Sequence, residues 1–469
     1  LSYAPRRESP VDAPGRPSAA KRLVADRSGR GCVGDRPAAV PAAASADKWD
    51  NRNVVSNRDR AGMPGAAPSY GADVDDADVE ATATRAAAAA ALIATAGSVD
   101  LRIPRTMRAL VKARPEAGAE LLEVPVPRPG PGELLIRLEA VSLCGTDLHI
   151  YRWDPWAEQR LGKYLPRIFG HEMAGRVVAH GPGTGAVPLG TRVAAETHLV
   201  DWTCYQCRTG REHVCANLRI LGVDADGAFA EYMCLPERNA WPSEGLSPEI
   251  AAIQEPMGNA VFATFVEEIT TASVAILGCG PIGLMAVAIC KFAGASRIFA
   301  TDVMPHRREM AARMGADFVL DGAGDVVAEI RRETGGTGVD VVLEMSGAES
   351  AIHQAFEMTT NGGRVSLLGL GSRPVTIDLN DAIIFRGLRV YGITGRKLWE
   401  TWYKTAALLR EGLDVSPIIT QRLPLSRYAE AFDLVAQGVA GKVVLLPQEG
   451  DFAEPESTPE SMVNEGGAV

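Results

Sequence analysis

The chain has 469 residues, 46% of them hydrophobic, with a formal net charge of -10 and an isoelectric point of about 5.4. This length supports two to three domains, and the acidic balance argues against nucleic acid as a partner. No apolar run indicates a membrane span, because the longest, 274–289, is interrupted by glycines and a proline. We therefore expect a soluble, cytoplasmic protein.

Residues 1–106 are rich in Ala, Arg, Asp, Pro and Gly and contain few large apolar residues. Such a segment cannot bury enough apolar surface to offset its ordering entropy. We interpret it as a disordered or artefactual extension, with Met107 opening the first strand-like run. The alternative is a transit peptide, which the arginines favour and the many aspartates oppose.

The rest of the chain divides by pattern. Residues 107–258 show short strands between Gly and Pro turns, whereas 259–394 alternate strands with helices, which predicts a parallel, doubly wound sheet. Residues 395–447 hold a helix and a last strand, and 448–469 form an acidic tail that we expect to be disordered. The strand candidates are 107–113, 133–140, 174–179, 192–195, 274–277, 297–301, 339–344, 364–368 and 442–446, and the helix candidates are 283–293, 307–314 and 399–411.

A glycine-rich turn follows the strand candidate 274–277. It reads Gly278-Cys-Gly280-Pro281-Ile282-Gly283 and precedes a predicted helix. The three glycines allow a tight turn, a close backbone approach to a pyrophosphate, and close packing of helix on strand. The helix N-terminus then offers its N–H groups to phosphates.

Asp302 ends the next strand, nineteen positions after Gly283. An acidic residue there binds the adenosine ribose hydroxyls and repels a 2′-phosphate, so we predict NAD rather than NADP. Arg307 and Arg308 follow and weaken that preference. The alternative is an ordinary glycine turn with a surface aspartate.

Two clusters resemble metal sites. In the first, Cys144, His171, Glu172 and Glu255 provide thiolate, imidazole and carboxylate groups, which are zinc ligands. We predict Cys144 and His171 as the core ligands of a catalytic zinc, with the two glutamates as further candidates that exchange during turnover. Each residue alone also fits an ordinary structural role.

The second cluster is spaced closely in one segment, as in structural zinc sites. The alternative is three ordinary reduced thiols, since eight cysteines are too few and too clustered for a disulfide scaffold. Its members are Asp201, Cys204, Cys207 and Cys215.

The order of these motifs resembles that of the zinc-containing medium-chain dehydrogenases, in the alcohol dehydrogenase superfamily. The resemblance covers about 107–447. It implies a GroES-like catalytic domain at 107–258, an NAD-binding Rossmann domain at 259–394, and a return to the catalytic domain at 395–447. In that family the structural zinc usually has four cysteines, so Asp201 is a departure that puts this site's occupancy in doubt.

Within the superfamily, four segments resemble the threonine dehydrogenase branch. They are the run from Cys144 to Trp156, the Glu255-Pro-Met-Gly-Asn-Ala-Val run, the run from Gly395 through Arg396 to Lys404, and Ser416-Pro-Ile-Ile-Thr420. This resemblance implies oxidation of the 3-hydroxyl of L-threonine to 2-amino-3-oxobutanoate, and a homotetramer.

The resemblance also implies roles for individual residues. Thr146 and His149 would relay the hydroxyl proton from the zinc-bound oxygen, a task that suits histidine because its pKa is near neutral. His198 and Arg396 are candidates for the substrate pocket, and Arg396 is also a candidate for the cofactor.

Three alternatives remain. A polyol or vicinal-diol dehydrogenase, acting on sorbitol or 2,3-butanediol, would share this zinc and NAD machinery. A catalytically inactive module that binds zinc and NAD would have lost one of Cys144, His171, Thr146 or His149, and all four are present. A zinc-free quinone-type reductase is disfavoured by the complete set of ligands.

Overall fold

The computed structural model describes residues 103–448, so the expectations for most of the first 106 residues and for the acidic tail lie outside the described residues. No helix within 103–448 is both long enough and apolar enough to span a bilayer.

The strands are β1 (Thr106–Lys112), β2 (Glu120–Pro125), β3 (Glu133–Ser142), β4 (Arg167–Ile168), β5 (Glu172–His180), β6 (Arg192–Ala195), β7 (His198–Leu199), β8 (Arg219–Ile220), β9 (Tyr232–Pro236), β10 (Ala240–Pro242), β11 (Ser273–Leu277), β12 (Arg297–Asp302), β13 (Phe318–Asp321), β14 (Val339–Glu344), β15 (Thr359–Leu367), β16 (Arg389–Gly392), β17 (Ile419–Pro424) and β18 (Lys442–Leu446). The helices are α1 (Gly145–Arg152), α2 (Pro155–Leu161), α3 (Tyr205–Arg208), α4 (Pro248–Ala252), α5 (Gln254–Thr264), α6 (Pro281–Phe292), α7 (Pro305–Arg313), α8 (Val326–Glu333), α9 (Glu349–Met358), α10 (Glu400–Arg410) and α11 (Tyr428–Gln437).

Strand β3 is the centre of the first, β-rich part. It pairs antiparallel with β5, β9 and β18 in a seven-stranded sheet. Successive residues of a strand point to opposite faces, and accordingly Leu134 and Ile136 join one hydrophobic core while Leu135 joins another. Burial on both faces holds the end of β3, and the site residues after it, in place.

The second part contains a six-stranded parallel sheet in the order β13-β12-β11-β14-β15-β16. Ile276 and Leu277 of β11 pack into two different cores, one on each face of the sheet. This is the pattern of a sheet covered on both sides by helices. The prediction of an α/β fold with a doubly wound sheet is confirmed.

The chain then returns to the first sheet. Strand β18 runs parallel to β17 and antiparallel to β3, with Val444 opposite Ser142. Residues about 300 positions apart therefore become neighbours beside the predicted ligands.

The main difference from the predicted elements is at β15. The prediction began this strand at 364, whereas it begins at Thr359. Asn361, Gly362 and Gly363 indicate a turn in sequence, but the strand continues through them with a register irregularity opposite β14 and a positive φ at Gly362.

Candidate active site and metal centres

The glycine turn lies at the carboxyl end of β11, between β12 and β14, where the direction of the strand order reverses. Gly278 has a φ of +95°, a conformation that favours glycine. A Cβ on Gly283 would lie 1.9 Å from the Gly278 carbonyl oxygen, whereas one on Gly280 would meet no atom within 4 Å. Pro281 and Ile282 open α6. The turn thus leaves space beside Gly280, where a pyrophosphate is expected.

Asp302 is bound to this turn. One carboxylate oxygen accepts a hydrogen bond from the Cys279 backbone N–H and the other accepts one from Met304, both at 2.8 Å. Arg307 approaches the same carboxylate at 3.8 Å. Each oxygen retains a further lone pair, so the residue can still accept from a ribose hydroxyl.

Three of the four predicted ligands of the catalytic zinc come together. Cys144 precedes α1, His171 precedes β5, and Glu172 begins β5 directly opposite Ser142 of β3. One donor atom from each of the three lies within 4.8 Å of the others. A thiolate, an imidazole and a carboxylate at this separation fit a zinc ion.

Asp147 supports two of these ligands. Its carboxylate accepts a hydrogen bond from the Cys144 backbone N–H at 2.9 Å, and its other oxygen is 3.4 Å from Nδ1 of His171. Asp147 is completely buried. Burial lowers the pKa of His171, but Asp147 and Cys144 outweigh this and raise it well above its ordinary value. A carboxylate in this position orients a ligating imidazole.

Glu255, the fourth predicted ligand, is outside this group. Its Oε1 accepts hydrogen bonds from Arg396 at 2.6 Å and from Thr197 at 3.1 Å. Arg396 also donates to Glu196 at 2.5 Å, and Glu196 accepts from the Trp402 indole at 2.6 Å. Burial raises the pKa of Glu255, but Arg396, His171 and Lys442 together outweigh it, and the pKa lies below its ordinary value.

Arg396 is only 1% exposed, and both of its terminal nitrogens are occupied by these partners. These contacts hold Glu255 and Glu196 in place, and the role of Arg396 towards the substrate carboxylate or the cofactor stays a prediction. Burial lowers the pKa of Arg396, and the two carboxylates more than reverse that effect.

His198 is buried beside this network. Its Nδ1 lies 3.4 Å from Glu196 and has no hydrogen-bond partner among the described residues. Burial, and then the nearby Arg396, hold the pKa of His198 well below its ordinary value. The ring lies against Gly395, where a Cβ would come within 2.3 Å of it. His198 is therefore a buried imidazole whose surroundings disfavour its charged form.

The two predicted relay residues both lie on α1. The Thr146 hydroxyl is 3.8 Å from the Cys144 sulfur, and the His149 side chain is 61% exposed. Nδ1 of His149 is 2.5 Å from Asp154, which also accepts a hydrogen bond from Ala157 at the start of α2. Thr146 thus lies at the metal cluster and His149 at the solvent.

The second cluster brings together all four predicted residues. Donor atoms of Asp201, Cys204, Cys207 and Cys215 lie within 4.8 Å of one another. The sulfur of Cys204 is 3.5 Å from that of Cys207 and 3.7 Å from that of Cys215. Tetrahedral zinc with Zn–S bonds of about 2.3 Å places its sulfurs about 3.8 Å apart, whereas a disulfide would need about 2.05 Å. The thiols therefore fit a shared metal ion.

Asp201 has a second task in this loop. Its Oδ1 accepts hydrogen bonds from the backbone N–H groups of Thr203 and Cys204, and Asn217 contacts its other oxygen. These hydrogen bonds, with that from Asn217 the largest contribution, hold the pKa of Asp201 far below its ordinary value. The charged form of Asp201 is therefore favoured, and a charged carboxylate can bind a metal ion while its accepted hydrogen bonds shape the turn.

Several residues around the site were not identified from sequence. Asp147 carried a usable signal, since an acid three residues after Cys144 matches a helix capping pattern. Glu196, Ser142 and Lys442 carried none, because their partners come from distant segments.

Two family models match the chain. The alcohol dehydrogenase GroES-like domain matches residues 130–245, and the zinc-binding dehydrogenase model matches 281–411. These ranges include the first and second metal clusters, and most of the parallel sheet.

Three proteins illustrate the similarity. An L-threonine 3-dehydrogenase from Pyrococcus horikoshii is 49% identical over 344 residues, covering 72% of this chain and 98% of that protein. A crystal structure of a short chain alcohol dehydrogenase from Escherichia coli CFT073, complexed with NADH, is 26% identical with a TM-score of 0.67, covering 73% of this chain and 100% of that one. A crystal structure of 2R,3R-butanediol dehydrogenase from Bacillus subtilis is 28% identical with a TM-score of 0.66, again covering 73% and 100%.

Proposed function

The chain belongs to the zinc-binding dehydrogenases of the alcohol dehydrogenase superfamily, and we propose that it oxidises the 3-hydroxyl of L-threonine with NAD. The C3–H bond breaks and its electron pair leaves as hydride to the nicotinamide, while the hydroxyl proton is released. The products are 2-amino-3-oxobutanoate, NADH and a proton.

One observation carries this proposal. The donor atoms of Cys144, His171 and Glu172 cluster within 4.8 Å in a chain that is 49% identical to a threonine dehydrogenase over nearly all of that protein. The complete donor set argues against an inactive binding module. The identity argues for threonine over a diol, because the butanediol enzyme is only 28% identical.

Cys144 and His171 would hold the catalytic zinc, with Glu172 or Glu255 as further ligands. A zinc ion bound there would supply Lewis-acid chemistry, which lowers the pKa of an alcohol hydroxyl. NAD would bind across the turn at Gly280, with Asp302 at its adenosine ribose. Asp201, Cys204, Cys207 and Cys215 would hold a second, structural zinc.

Thr146 and His149 supply the route for the proton. Thr146 lies beside the Cys144 sulfur and can pass a proton through its hydroxyl. His149 is exposed and can release it to water, because an imidazole exchanges protons near neutral pH. Asp154 holds the His149 ring through Nδ1.

Substrate selection would depend on the buried network that includes His198. A neutral His198 can donate or accept a hydrogen bond, which suits the ammonium or carboxylate of an amino acid. Arg396 acts in this proposal by ordering Glu255, which is then available to the ammonium.

The surface supports a homo-oligomer, which we propose to be a homotetramer working in the cytoplasm. Strand β16 is the last strand of the parallel sheet, and an edge strand is a ready pairing surface. Large hydrophobic side chains near it are exposed: Phe385 at 77%, Ile384 at 62% and Leu379 at 58%. Light scattering of the wild type and of Phe385→Asp tests this assembly.

The activity test uses the full chain with zinc and NAD, and follows NADH formation with L-threonine, D-threonine, 2,3-butanediol and sorbitol. We expect turnover confined to L-threonine, abolished in Cys144→Ser and retained in Cys290→Ser, a buried cysteine outside both clusters. Faster turnover of a diol would overturn the substrate assignment and leave the dehydrogenase chemistry standing.

A further inference from the structure

Lys442, the first residue of β18, is a buried lysine beside the metal cluster. It is 3% exposed. Its ammonium donates to the Leu143 carbonyl at 2.8 Å and contacts the two carboxylate oxygens of Glu172 at 2.6 and 2.5 Å. All three N–H groups of this lysine therefore have partners, and two of the three contacts involve one glutamate.

Glu172 is completely buried, and its carboxylate is fully engaged. Oε2 also accepts a hydrogen bond from the Ser142 hydroxyl. Yet the same carboxylate reaches within 4.8 Å of the donor atoms of Cys144 and His171. A buried carboxylate needs a cationic partner, and here two compete for it, the lysine ammonium and the metal ion.

Lys442 reaches this position because of the sheet. β18 pairs with β3, the strand that ends at Ser142, and β3 pairs with β5, which begins at Glu172. The three strands therefore bring Lys442, Ser142 and Glu172 together. Lys112 is also buried, but its ammonium donates to the backbone carbonyls of Glu116, Gly118 and Tyr151 and lies 5.1 Å from the centroid of the Trp153 ring.

We propose that Lys442 is a positioning residue that, with Ser142, competes with the catalytic metal for Glu172 and frees a coordination position for substrate whenever it holds that carboxylate. Removing the ammonium leaves the carboxylate without a counter-charge, and the metal becomes its partner. Lys442 thereby determines how many protein ligands the metal has. This inference rests on the metal site proposed above, but it does not depend on which alcohol is the substrate.

The test uses the full-length protein loaded with cobalt, and compares the wild type with Lys442→Met, Lys442→Arg and Lys442→Met/Glu172→Gln. Subtracting the spectrum of Cys144→Ser removes the contribution of the second cluster. We expect Lys442→Met to change the visible absorption of cobalt, because that absorption reports ligand number and geometry. We also expect metal release to a chelator to slow, because Glu172 then has no competing ammonium and stays a ligand.

The other variants separate positioning from stability. Lys442→Arg keeps the positive charge and should retain the wild-type spectrum, and the double variant should return towards it because Gln is a poor ligand. Lys112→Met is the matched control: it removes a buried ammonium from β1, in the separate three-stranded sheet, and should lower Tm without altering the spectrum. For Lys442→Met, kcat should fall while KM for NAD stays unchanged.

A folded Lys442→Met with the wild-type spectrum and release rate would overturn the inference. So would a Lys112→Met that changes the spectrum to the same extent. If cobalt gave no absorption that depends on Cys144 in the wild type, the proposed metal site itself would fail, and the inference with it. Absence of threonine turnover with the expected spectra would overturn only the substrate assignment.

Discussion

Arg396 and Glu255 form a buried ion pair, with Nη1 2.6 Å from Oε1 and side-chain exposures of 1% and 8%. The other terminal nitrogen lies 2.5 Å from Glu196, which is completely buried. One guanidinium thus balances two carboxylates that come from segments about 60 residues apart in the chain. The arrangement explains how two acids can be buried beside a site that already contains Glu172.

Arg396→Met should destabilise the protein strongly, because it leaves two buried carboxylates without a counter-charge. Breaking one side of a buried pair costs about 3–5 kcal/mol. Urea unfolding measures the change in the free energy of unfolding. Arg332→Met is the control, since Arg332 pairs with Glu329 on an exposed helix face and should leave stability unchanged. An Arg396→Met protein as stable as the wild type would show that the carboxylates find another partner.

Gly283→Ala should lower the stability of the protein, whereas Gly280→Ala should weaken NAD binding. A Cβ at Gly283 meets the Gly278 carbonyl oxygen at 1.9 Å, so we expect the free energy of unfolding to fall by roughly 1–3 kcal/mol. A Cβ at Gly280 meets no protein atom within 4 Å, so stability should be retained while NAD binds about tenfold more weakly, a loss of about 1.4 kcal/mol. Thermal unfolding with and without NAD measures both effects. Normal NAD binding by Gly280→Ala would place the cofactor elsewhere.

Asp201→Asn tests the mixed ligand set of the second cluster. Asparagine can still accept the turn hydrogen bonds from Thr203 and Cys204, but it lacks the negative charge that suits a zinc ligand. We expect the bound zinc to fall towards one ion per chain, with a lower Tm and unchanged kcat. Asp201→Cys should keep both ions. Full zinc content in Asp201→Asn would mean that the three cysteines hold the metal without the carboxylate.

Cys204 should react with an alkylating reagent much faster than the buried cysteines Cys279 and Cys290. Burial raises the pKa of Cys279 and of Cys290 to about 12, so at pH of about 8 both remain protonated and unreactive, since the thiolate is the nucleophile. A backbone hydrogen bond from Cys207 lowers the pKa of Cys204. After chelation, iodoacetamide with mass-spectrometric mapping should modify Cys204 before Cys279 and Cys290. Raising the pH towards 12 should increase the modification of Cys279 and Cys290. Equal modification rates for Cys204, Cys279 and Cys290 at pH of about 8 would contradict this difference in thiol pKa.

Local spacing accounts for what could be predicted. Three motifs have all their residues close together in sequence, so their chemistry can be recognised from the chain alone. They are the turn from Gly278 to Gly283, the three cysteines of the second cluster, and the Cys144-Gly-Thr-Asp run. The predicted fold class and the resemblance to zinc-containing dehydrogenases are confirmed by the parallel sheet, by the two family models, and by 49% identity to a threonine dehydrogenase. The roles of the individual site residues stay predictions.

Sequence by itself determined the family, and it predicted the cofactor turn and every member of the two clusters except for the misplaced Glu255, because these features depend on residue types in recognisable local motifs. Only the tertiary structure decided which buried charged side chains form ion pairs. Lys442 reaches Glu172 because β18 pairs with β3, and Arg396 joins Glu196 to Glu255 across 200 and 141 positions of chain. Burial makes those pairings obligatory, since a charge removed from water requires a partner. The identity of that partner depends on strand and helix packing, which no local pattern encodes.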